Sequence, residues 1–331
     1  MSQSTIDQRK LGSAGPSVSA LALGCMSMSG MYGPSDEAES IATIHAAIDR
    51  GINLLDTGDF YGMGHNEMLL GRALDGRRNQ VLLSVKFGGL RSPAGAFIGI
   101  DGRPQAVQNF AAYSLQRLNT DHIDIYRLAR VDPAVPIEDT VGAIADLIKA
   151  GYVRYIGLSE AGAETIRRAH ATHPVCDLQI EYSLVSRGME TSILPTLREL
   201  GIAVTAYGVL SRCLLSGSQP AGAGDFRAHL PRFRGENYDR NRQLVEALSG
   251  IAAQKGATPS QLAIAWVLGK GSDIVPVIGA RKRAQLEESL GALQLRLSDQ
   301  EIAQLEETFD PARVAGTRYD AAQMRMLDSE R

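Results

Sequence analysis

Short apolar runs alternate along the chain with longer segments in which apolar residues recur every three or four positions. The apolar runs predict eight strands, at residues 21–24, 52–56, 81–86, 123–129, 153–159, 178–182, 202–208 and 274–279. The segments between them predict helices, several of which end at a glycine. Strict alternation of this kind predicts a parallel sheet, and eight units are typical of a (β/α)8 barrel. An open doubly wound sheet is the alternative, but LGCMSMSG after the first strand lacks the glycine spacing of a dinucleotide fingerprint.

Three segments fall outside the barrel pattern. RKLGSAGPSVSALALG places two short apolar pieces around a Gly/Pro turn and predicts a hairpin below the barrel. Residues 211–241 are long and rich in glycine, which is typical of a lid or of a disordered loop. The polar C-terminal stretch TRYDAAQMRMLDSE either packs across the barrel mouth or frays. We therefore expect an α/β protein, a TIM barrel with an N-terminal β-hairpin cap, in which residues 1–331 form a single domain.

Composition narrows the classes of function. Hydrophobic residues make up 44% of the chain and charged residues 21%, the balance of a globular protein with a large core. A net charge of −3 provides no basic field for nucleic acid or for an anionic membrane. The sequence contains no apolar run long enough for a membrane span, and MSQSTIDQRK has no apolar core, so we expect neither a membrane span nor a secretion signal. The three cysteines lack paired spacing, which is typical of a reducing compartment, so we expect a cytoplasmic protein. From the net charge and the lack of a long apolar run, we expect no nucleic-acid or membrane partner.

Polar residues of complementary chemistry follow two neighbouring strands. Asp56 ends the second predicted strand, Tyr61 follows it in DTGDFYG, and Lys86 ends the third strand. The C-terminal ends of barrel strands share one rim, so the acid, the phenol and the amine should converge. A charged lysine there would lower the pKa of Tyr61 from about 10 and make it a general acid near neutral pH. Taken alone, the same residues also fit a solvated lysine and an ordinary loop aromatic.

Motifs along nearly the whole chain resemble those of the aldo-keto reductase family. The matching stretches are, in order, LGCMSM, GINLLDTGDFYGMGHNE, SVKFG, HIDIYRLARVDP, IGLSEA, LQIEYSL, GIAVTAYGVL and VPVIGARKRAQLEES. The resemblance implies a (β/α)8 barrel that binds NADPH and transfers its hydride to a small-molecule carbonyl or imine substrate. It assigns proton donation to Tyr61 and the tuning of its pKa to Lys86 and Asp56.

The resemblance also implies a set of residues that bind NADPH. Ser159 and Gln179 would bind the nicotinamide carboxamide, and Tyr207 would stack on the nicotinamide ring. Arg281 and Arg283, near the start of a helix, would bind the 2′-phosphate and favour NADPH over NADH. The remaining predicted contacts are Cys25, Met26, Gly208, Val209, Leu210, Ser211, Arg212, Gly279, Gln285, Glu288 and Ser289. We expect no metal site, because the one close pair of histidines has no third ligand nearby.

One catalytic position departs from the family pattern. The family has a run like YQLHRVDP at the end of the fourth strand, whereas this chain has YRLARVDP, with Ala129 in place of histidine. That histidine would donate a hydrogen bond to the substrate oxygen, and the loss of such a donor lowers the rate by about 10² to 10³. His122 lies near the opposite end of the strand. Arg127 is expected to be a buried cation beneath the pocket, and Arg130 is expected to be solvated.

Three explanations of Ala129 stay open at this point. The first is an engineered His-to-Ala change. The second is a natural variant that takes a bulky carbonyl or an imine. The third is an NADPH-binding redox-sensing or regulatory protein with little turnover. A further departure, AYGVLSRCLLSG in place of an SPLGRG-like run, is expected to alter how residues 211–241 fold over the pyrophosphate. The physiological substrate and the oligomeric state stay open.

Overall fold

The computed structural model describes residues 6–220, 222 and 225–331, and twelve strands occur among them. In chain order they are β1 (Gln8–Lys10), β2 (Ser17–Ser19), β3 (Ala22–Gly24), β4 (Leu54–Gly58), β5 (Leu82–Phe87), β6 (Gly89–Arg91), β7 (Phe97–Ile100), β8 (Ile123–Leu128), β9 (Val153–Ser159), β10 (Val175–Glu181), β11 (Ala203–Tyr207) and β12 (Ile274–Gly279). Eight of them, β3, β4, β5, β8, β9, β10, β11 and β12, are parallel and close into a barrel. The prediction of a (β/α)8 TIM barrel is therefore confirmed.

Helices follow the barrel strands, and most of them cover the outside of the barrel. They are α1 (Glu37–Asp49), α2 (His65–Ala73), α3 (Pro104–Leu118), α4 (Ile137–Lys149), α5 (Ala163–Thr172), α6 (Ile193–Leu200), α7 (Gly235–Gln254), α8 (Pro259–Gly269), α9 (Arg283–Gly291), α10 (Asp299–Thr308) and α11 (Ala321–Met324). In α4, Ile137, Val141, Ile144 and Leu147 are buried at spacings of three and four residues. This spacing gives the helix one apolar face, which packs on the barrel. No helix in the described ranges combines the length and the apolar character that a membrane crossing requires.

The N-terminal hairpin closes one end of the barrel, as predicted. Strands β1 and β2 pair antiparallel. Leu11 and Val18, which lie in this hairpin, are fully buried and pack against Leu54 and Ile125 of the barrel strands. The opposite end, where the strands have their C-termini, remains available for the site.

Some strand boundaries differ from the sequence-based prediction. Strand β10 begins at Val175 rather than at residue 178, because the polar Asp177 interrupts the apolar run in the sequence. In the structure Asp177 is buried and accepts a hydrogen bond from Arg127 Nη1 at 2.8 Å. Arg127 itself is fully buried inside the barrel, as expected. The first residues of β10 were therefore missed in the sequence, because the charge of Asp177 is compensated by Arg127, which lies on β8.

The segment at residues 211–241 is not a plain connection. Its described part forms two short helical turns, Phe226–His229 and Pro231–Phe233, before α7 begins at Gly235. Arg232 Nη2 donates to Val185 O at 2.6 Å and attaches the second turn to the barrel rim. Residues 221, 223 and 224 of the predicted lid lie outside the described residues.

Candidate active site

Asp56 and Lys86 form a buried ion pair at the C-terminal rim of the barrel. Strands β4 and β5 are neighbours, with Asp56 in register with Ser84. Lys86 Nζ donates to Asp56 Oδ1 at 2.5 Å, and Ser84 Oγ donates to Asp56 Oδ2 at 2.9 Å. Burial lowers the pKa of Lys86, while the Asp56 carboxylate acts to raise it. The hydrogen bond from Ser84 to the second oxygen of Asp56 partly offsets the cost of removing this ion pair from water.

Tyr61 lies directly above this pair. It begins the turn Tyr61–Gly64 after β4, and its ring centroid is 5.1 Å from Lys86 Nζ. The structure thus brings the predicted acid, phenol and amine together. Burial raises the pKa of Tyr61 well above its ordinary value, Asp56 adds to the effect, and the charge of Arg130 opposes it. The prediction that the pKa of Tyr61 lies below its ordinary value is wrong, because burial and the Asp56 carboxylate disfavour the phenolate more strongly than the nearby positive charges favour it.

Ala129 and Arg130 follow the end of β8 at the same rim. Ala129 is buried, and its N–H donates to Phe87 O at 2.8 Å. Arg130 turns back over it, with Nη1 donating to Ala129 O at 2.7 Å and Nη2 to Tyr319 Oη at 3.4 Å. Burial acts to lower the pKa of Arg130, but nearby tyrosines and Glu160 hold it above its ordinary value. The expectation that Arg130 is solvated is therefore wrong.

Ser159 and Gln179 stand side by side at the ends of β9 and β10. The Oγ atom of Ser159 is buried and has no hydrogen-bond partner among the described residues. Gln179 Nε2 donates to Asp56 Oδ2 at 2.7 Å, so the glutamine is also linked to the Lys86 pair. The Ser159 hydroxyl is therefore a polar atom that the described part of the protein leaves unsatisfied.

A buried ionic network joins the strand ends to the C-terminal segment. Glu160, which directly follows β9, accepts hydrogen bonds from Arg318 at 2.6 and 2.7 Å and from Tyr207 Oη at 2.7 Å. Burial would raise the pKa of Glu160, but the charges of Arg318 and Arg130 outweigh it and bring the pKa to about 2. Of the two predicted alternatives for the C-terminal stretch, packing across the barrel mouth is the one observed. Sequence reasoning missed Glu160, although an acid directly after a strand in IGLSE was a possible signal.

Tyr319, in the C-terminal segment, extends the contacts of this network to the mouth of the barrel. Its hydroxyl lies 3.2 Å from Tyr207 Oη, and the guanidinium of Arg212 is 4.4 Å from its ring centroid. Arg212 Nη2 also donates to Glu181 Oε2 at 3.0 Å, so part of the hydrogen-bonding capacity of this guanidinium is already used. Tyr319 was not among the sequence-based candidates, because nothing in TRYDA ties it to a strand end far away in the chain.

The turn after β11 has an unusual backbone. Gly208, Ser211 and Arg212 have φ values of 65°, 46° and 55°, in the left-handed region that residues other than glycine rarely adopt. Val209 is buried, and Leu210 is partly buried against the core. The departure at AYGVLSRCLLSG therefore coincides with a tight left-handed turn.

The predicted phosphate-binding arginines already have partners within the protein. Arg281 Nη1 donates to Tyr32 O at 2.9 Å and to Gly33 O at 3.2 Å. Arg283 uses its backbone N–H and its guanidinium to bind the carboxylate of Glu39. The charged groups are thus near the start of α9, as predicted, but a carboxylate is bound to one of them.

The other predicted cofactor residues fall into two groups. Met26 and Gly279 lie at the rim after β3 and at the end of β12, with Gly279 exposed. Cys25 is fully buried at the rim, and burial raises the pKa of its thiol. Gln285, Glu288 and Ser289 form hydrogen bonds within the protein. Gln285 Oε1 accepts from the backbone N–H of Arg281, Glu288 Oε1 accepts from Thr258 Oγ1, and Ser289 Oγ donates to Gln285 O.

No set of three or more His, Cys, Asp or Glu side chains in the described ranges is arranged to hold a metal ion. A cleft of about 700 Å³ opens at the hairpin end of the barrel and is lined by residues that include Arg78, His122 and Arg154. Both arginines bind Asp124, at 2.7 and 3.0 Å. The cleft lies far from the Tyr61 cluster, and its charges neutralise each other.

Comparisons with known proteins agree with this architecture. Residues 20–310 match the model of the Aldo/keto reductase family. The chain is 42% identical to "Probable aldo-keto reductase 1" from Glycine max over 326 residues, which cover 96% of this chain and 93% of that protein. The structure resembles a glycerol dehydrogenase from Gluconobacter oxydans with a TM-score of 0.83 and 27% identity, covering 94% of this chain and 97% of the other. It also resembles the holo form of an aldo-keto reductase from Bacillus halodurans with a TM-score of 0.79 and 28% identity, covering 92% and 97%. The chain therefore belongs to the aldo/keto reductase family of oxidoreductases.

Proposed function

We propose that this protein is an NADPH-dependent reductase of small-molecule carbonyl compounds, with Tyr61 as the proton donor. The observation that carries the proposal is the stacking of three groups at the rim of the barrel. The Tyr61 ring lies 5.1 Å from Lys86 Nζ, and Lys86 Nζ is 2.5 Å from Asp56 Oδ1. A phenol above a buried ammonium group is suited to giving up a proton to an oxygen that becomes negative.

The raised pKa of Tyr61 is compatible with this role. The phenol stays protonated across the neutral range, because burial disfavours its phenolate form. No described residue accepts a hydrogen bond from its hydroxyl, so the proton is available to a substrate. An alkoxide is a stronger base than a phenolate and takes the proton as its charge develops. The positive charge of Lys86 then stabilises the phenolate that is left, while Asp56 keeps Lys86 in place.

The rim residues fit a nicotinamide nucleotide. The buried Ser159 Oγ has no partner among the described residues, and a carboxamide presents both a donor and an acceptor that can satisfy it and Gln179. When bound, the reduced nicotinamide supplies the hydride. Tyr207, whose hydroxyl donates to Glu160 Oε1 at 2.7 Å, would stack on the ring.

The preference for NADPH rests on the residues that follow β12. The loop after the last barrel strand often binds phosphate in this fold. Arg281 and Arg283 lie there, and guanidinium groups form charge-assisted hydrogen bonds with phosphate oxygens. Binding of the 2′-phosphate would require Arg283 to leave Glu39, and breaking an ion pair between an exposed arginine and a partly exposed glutamate costs little. We also propose that residues 1–331 act as one domain, since the C-terminal segment is part of the same site.

A regulatory NADPH-binding protein with little turnover is the second candidate. The observation that favours it is the buried methyl group of Ala129 at the position where the family pattern has a hydrogen-bond donor. Such a barrel would bind the nucleotide through Ser159, Gln179 and the arginines, yet would react slowly with carbonyls. The two candidates therefore share the cofactor site and differ in chemistry.

Turnover on a substrate panel separates the candidates. We expect NADPH oxidation with at least some members of a set of aldehydes, ketones and cyclic imines of increasing size. Binding of NADPH is measured in parallel by fluorescence titration. Tight NADPH binding without oxidation by any member would favour the regulatory candidate. A protein that binds neither NADPH nor NADH would overturn both candidate functions.

A further inference from the structure

Arg130 is a cation at the barrel mouth that has no carboxylate partner among the described residues. Its guanidinium makes two hydrogen bonds in the structure, to Ala129 O at 2.7 Å and to Tyr319 Oη at 3.4 Å. A guanidinium has five N–H donors, so several remain unused. Both hydrogen bonds go to uncharged oxygens, and Glu160 acts on Arg130 through its charge without an ion pair, so the unused N–H donors of Arg130 are available to a ligand in the mouth.

The neighbouring arginines differ in this respect. Arg318 is bound to Glu160 at 2.6 Å, and Arg212 is bound to Glu181 at 3.0 Å. Their charges are compensated inside the ionic network that attaches the C-terminal segment. Arg130 contacts the edge of this network through Tyr319 but is not part of its ion pairs.

Arg130 lies at the rim of the barrel that also carries Tyr61 and Lys86. The partly buried guanidinium folds back onto the carbonyl oxygen of Ala129, the residue whose methyl group is buried at the same rim. Residue 129 directly follows β8, the barrel neighbour of the strand that carries Lys86. The positive charge of Arg130 opposes the burial that raises the pKa of Tyr61, and it adds to the burial that lowers the pKa of Lys86.

Other candidate donors are engaged elsewhere. His65 Nδ1 is 3.0 Å from Ser29 Oγ, and its Nε2 is 3.3 Å from Glu37 Oε2. Arg127 is fully buried inside the barrel and binds Asp177. Of these three side chains, only Arg130 combines unused donors with a place at the rim.

We propose that Arg130 donates a hydrogen bond to the carbonyl oxygen of the substrate and so supplies the donor that the methyl group of Ala129 cannot supply. The inference rests on the proposed reductase function. In the reaction the carbonyl carbon accepts a hydride from the reduced nicotinamide, which becomes oxidised, and the π-electron pair moves to the oxygen. Tyr61 gives its proton to that oxygen, while Arg130 keeps its protons and stabilises the negative charge.

Substitution of Arg130 tests the proposal in the cofactor-loaded enzyme. We expect Arg130→Met to lower kcat on a neutral carbonyl substrate by about 10²-fold, with a smaller change in KM, because the donor acts mainly in the transition state. Arg130→Lys keeps the charge and should retain more activity. Added guanidinium ion should partly restore Arg130→Ala, whose cavity can admit it. Arg168→Met, which removes an exposed arginine bound to Glu138, is the matched control and should leave kcat unchanged.

A pH profile provides a readout that a merely structural role would not move. Removal of the Arg130 charge should shift the alkaline limb of kcat, which reports the loss of the Tyr61 proton, to higher pH. Tyr319→Phe removes the hydrogen bond between Arg130 and the Tyr319 hydroxyl but keeps the Arg130 charge, so it should reproduce neither the pH shift nor the full loss of kcat.

Several results would overturn the role of Arg130. One is an unchanged kcat in Arg130→Met. Another is a rise in KM confined to substrates that carry a carboxylate, which would make Arg130 an anion-binding residue. A third is a loss of equal size in Tyr319→Phe without a pH shift. Absence of turnover in the unmodified enzyme would instead overturn the proposed function, and with it this inference.

Discussion

Glu39 holds Arg283 by three hydrogen bonds, one from the backbone N–H at 2.9 Å and two from the guanidinium at 3.2 and 2.9 Å. The carboxylate thus lies against the first residue of α9, where both the helix terminus and the arginine attract an anion. The proposed 2′-phosphate site of NADPH uses the same donors. A carboxylate of the protein and a phosphate of the cofactor therefore compete for Arg283.

Loss of this competitor should strengthen NADPH binding. We expect Glu39→Gln to raise the affinity for NADPH by about two- to fivefold, the scale of an exposed ion pair, and to leave NADH binding nearly unchanged. Fluorescence titration with both nucleotides measures the effect. Glu37→Gln removes the same charge from the same helix, but Glu37 binds Arg72 and not Arg283, so it serves as the control. Equal gains for NADPH and NADH would argue against a 2′-phosphate at Arg283.

Ser159→Ala should separate stability from cofactor binding. The Ser159 hydroxyl is buried and has no partner among the described residues, so its removal should leave the melting temperature unchanged or slightly raised. The same change removes a proposed bond to the nicotinamide carboxamide and should weaken NADPH binding by about three- to tenfold. Thr140→Val is the opposite control, because Thr140 Oγ1 is buried and donates to Gly102 O at 2.7 Å. It should lower the melting temperature and leave binding unchanged. A marked loss of stability in Ser159→Ala would show that the hydroxyl serves the fold.

Asp59 should make stability depend on pH. It lies two residues before Tyr61, its Oδ1 has no hydrogen-bond partner in the described ranges, and burial together with the nearby Glu67 carboxylate raises its pKa to about 7. The unfolded value is about 3.9, so between about pH 4 and 7 the folded state holds a proton that the unfolded state has lost. The contribution of Asp59 to stability is therefore full below about pH 4 and is lost as the pH rises through 7.

Asp59→Asn removes this titration. Between pH 5 and 8 the free energy of unfolding of the unmodified protein should fall more than that of the variant, by a difference on the order of 2–4 kcal/mol. Urea unfolding at the two pH values measures it, and Asn can still accept the hydrogen bond that Gly88 N–H donates at 3.2 Å. Parallel pH dependence in the two proteins would mean that Asp59 titrates normally.

Ala129→His should restore a donor at the end of β8. Because this donor acts mainly on the developing alkoxide, we expect kcat for simple carbonyls to rise about tenfold or more, with a smaller change in KM. Steady-state kinetics on the substrate panel measures both constants. Flat carbonyl rates together with a loss of activity on a bulkier or imine substrate would identify Ala129 as a specificity element. The explanation of Ala129 as an engineered His-to-Ala change would then be wrong.

The sequence predicted the barrel because its signals are local. The run IDIYRL is apolar enough to identify β8, and Asp56 and Lys86 were assigned to one rim because adjacent parallel strands end together. The hairpin β6–β7 was not predicted, since its short strands are separated by the turn-forming stretch SPAGA and carry little periodicity.

Side-chain partners from distant parts of the chain could not be predicted. Tyr319 reaches Tyr207 across 112 positions, and Glu39 reaches Arg283 across 244. The same limit explains the two errors at the site. Arg130 was expected to be solvated because its contact with Tyr319 is long-range, and the pKa of Tyr61 depends on a degree of burial that only the packed structure reveals.

The turnover number of Tyr61→Phe tests the central claim most directly. Phenylalanine keeps the ring above Lys86 and removes only the hydroxyl, so NADPH affinity and the melting temperature should stay close to those of the unmodified protein. We predict that kcat for NADPH oxidation with the best carbonyl substrate falls by about 10²-fold or more, because the proton source is lost. A kcat within about threefold of the unmodified enzyme, with NADPH still bound, would contradict the assignment of Tyr61 as the proton donor.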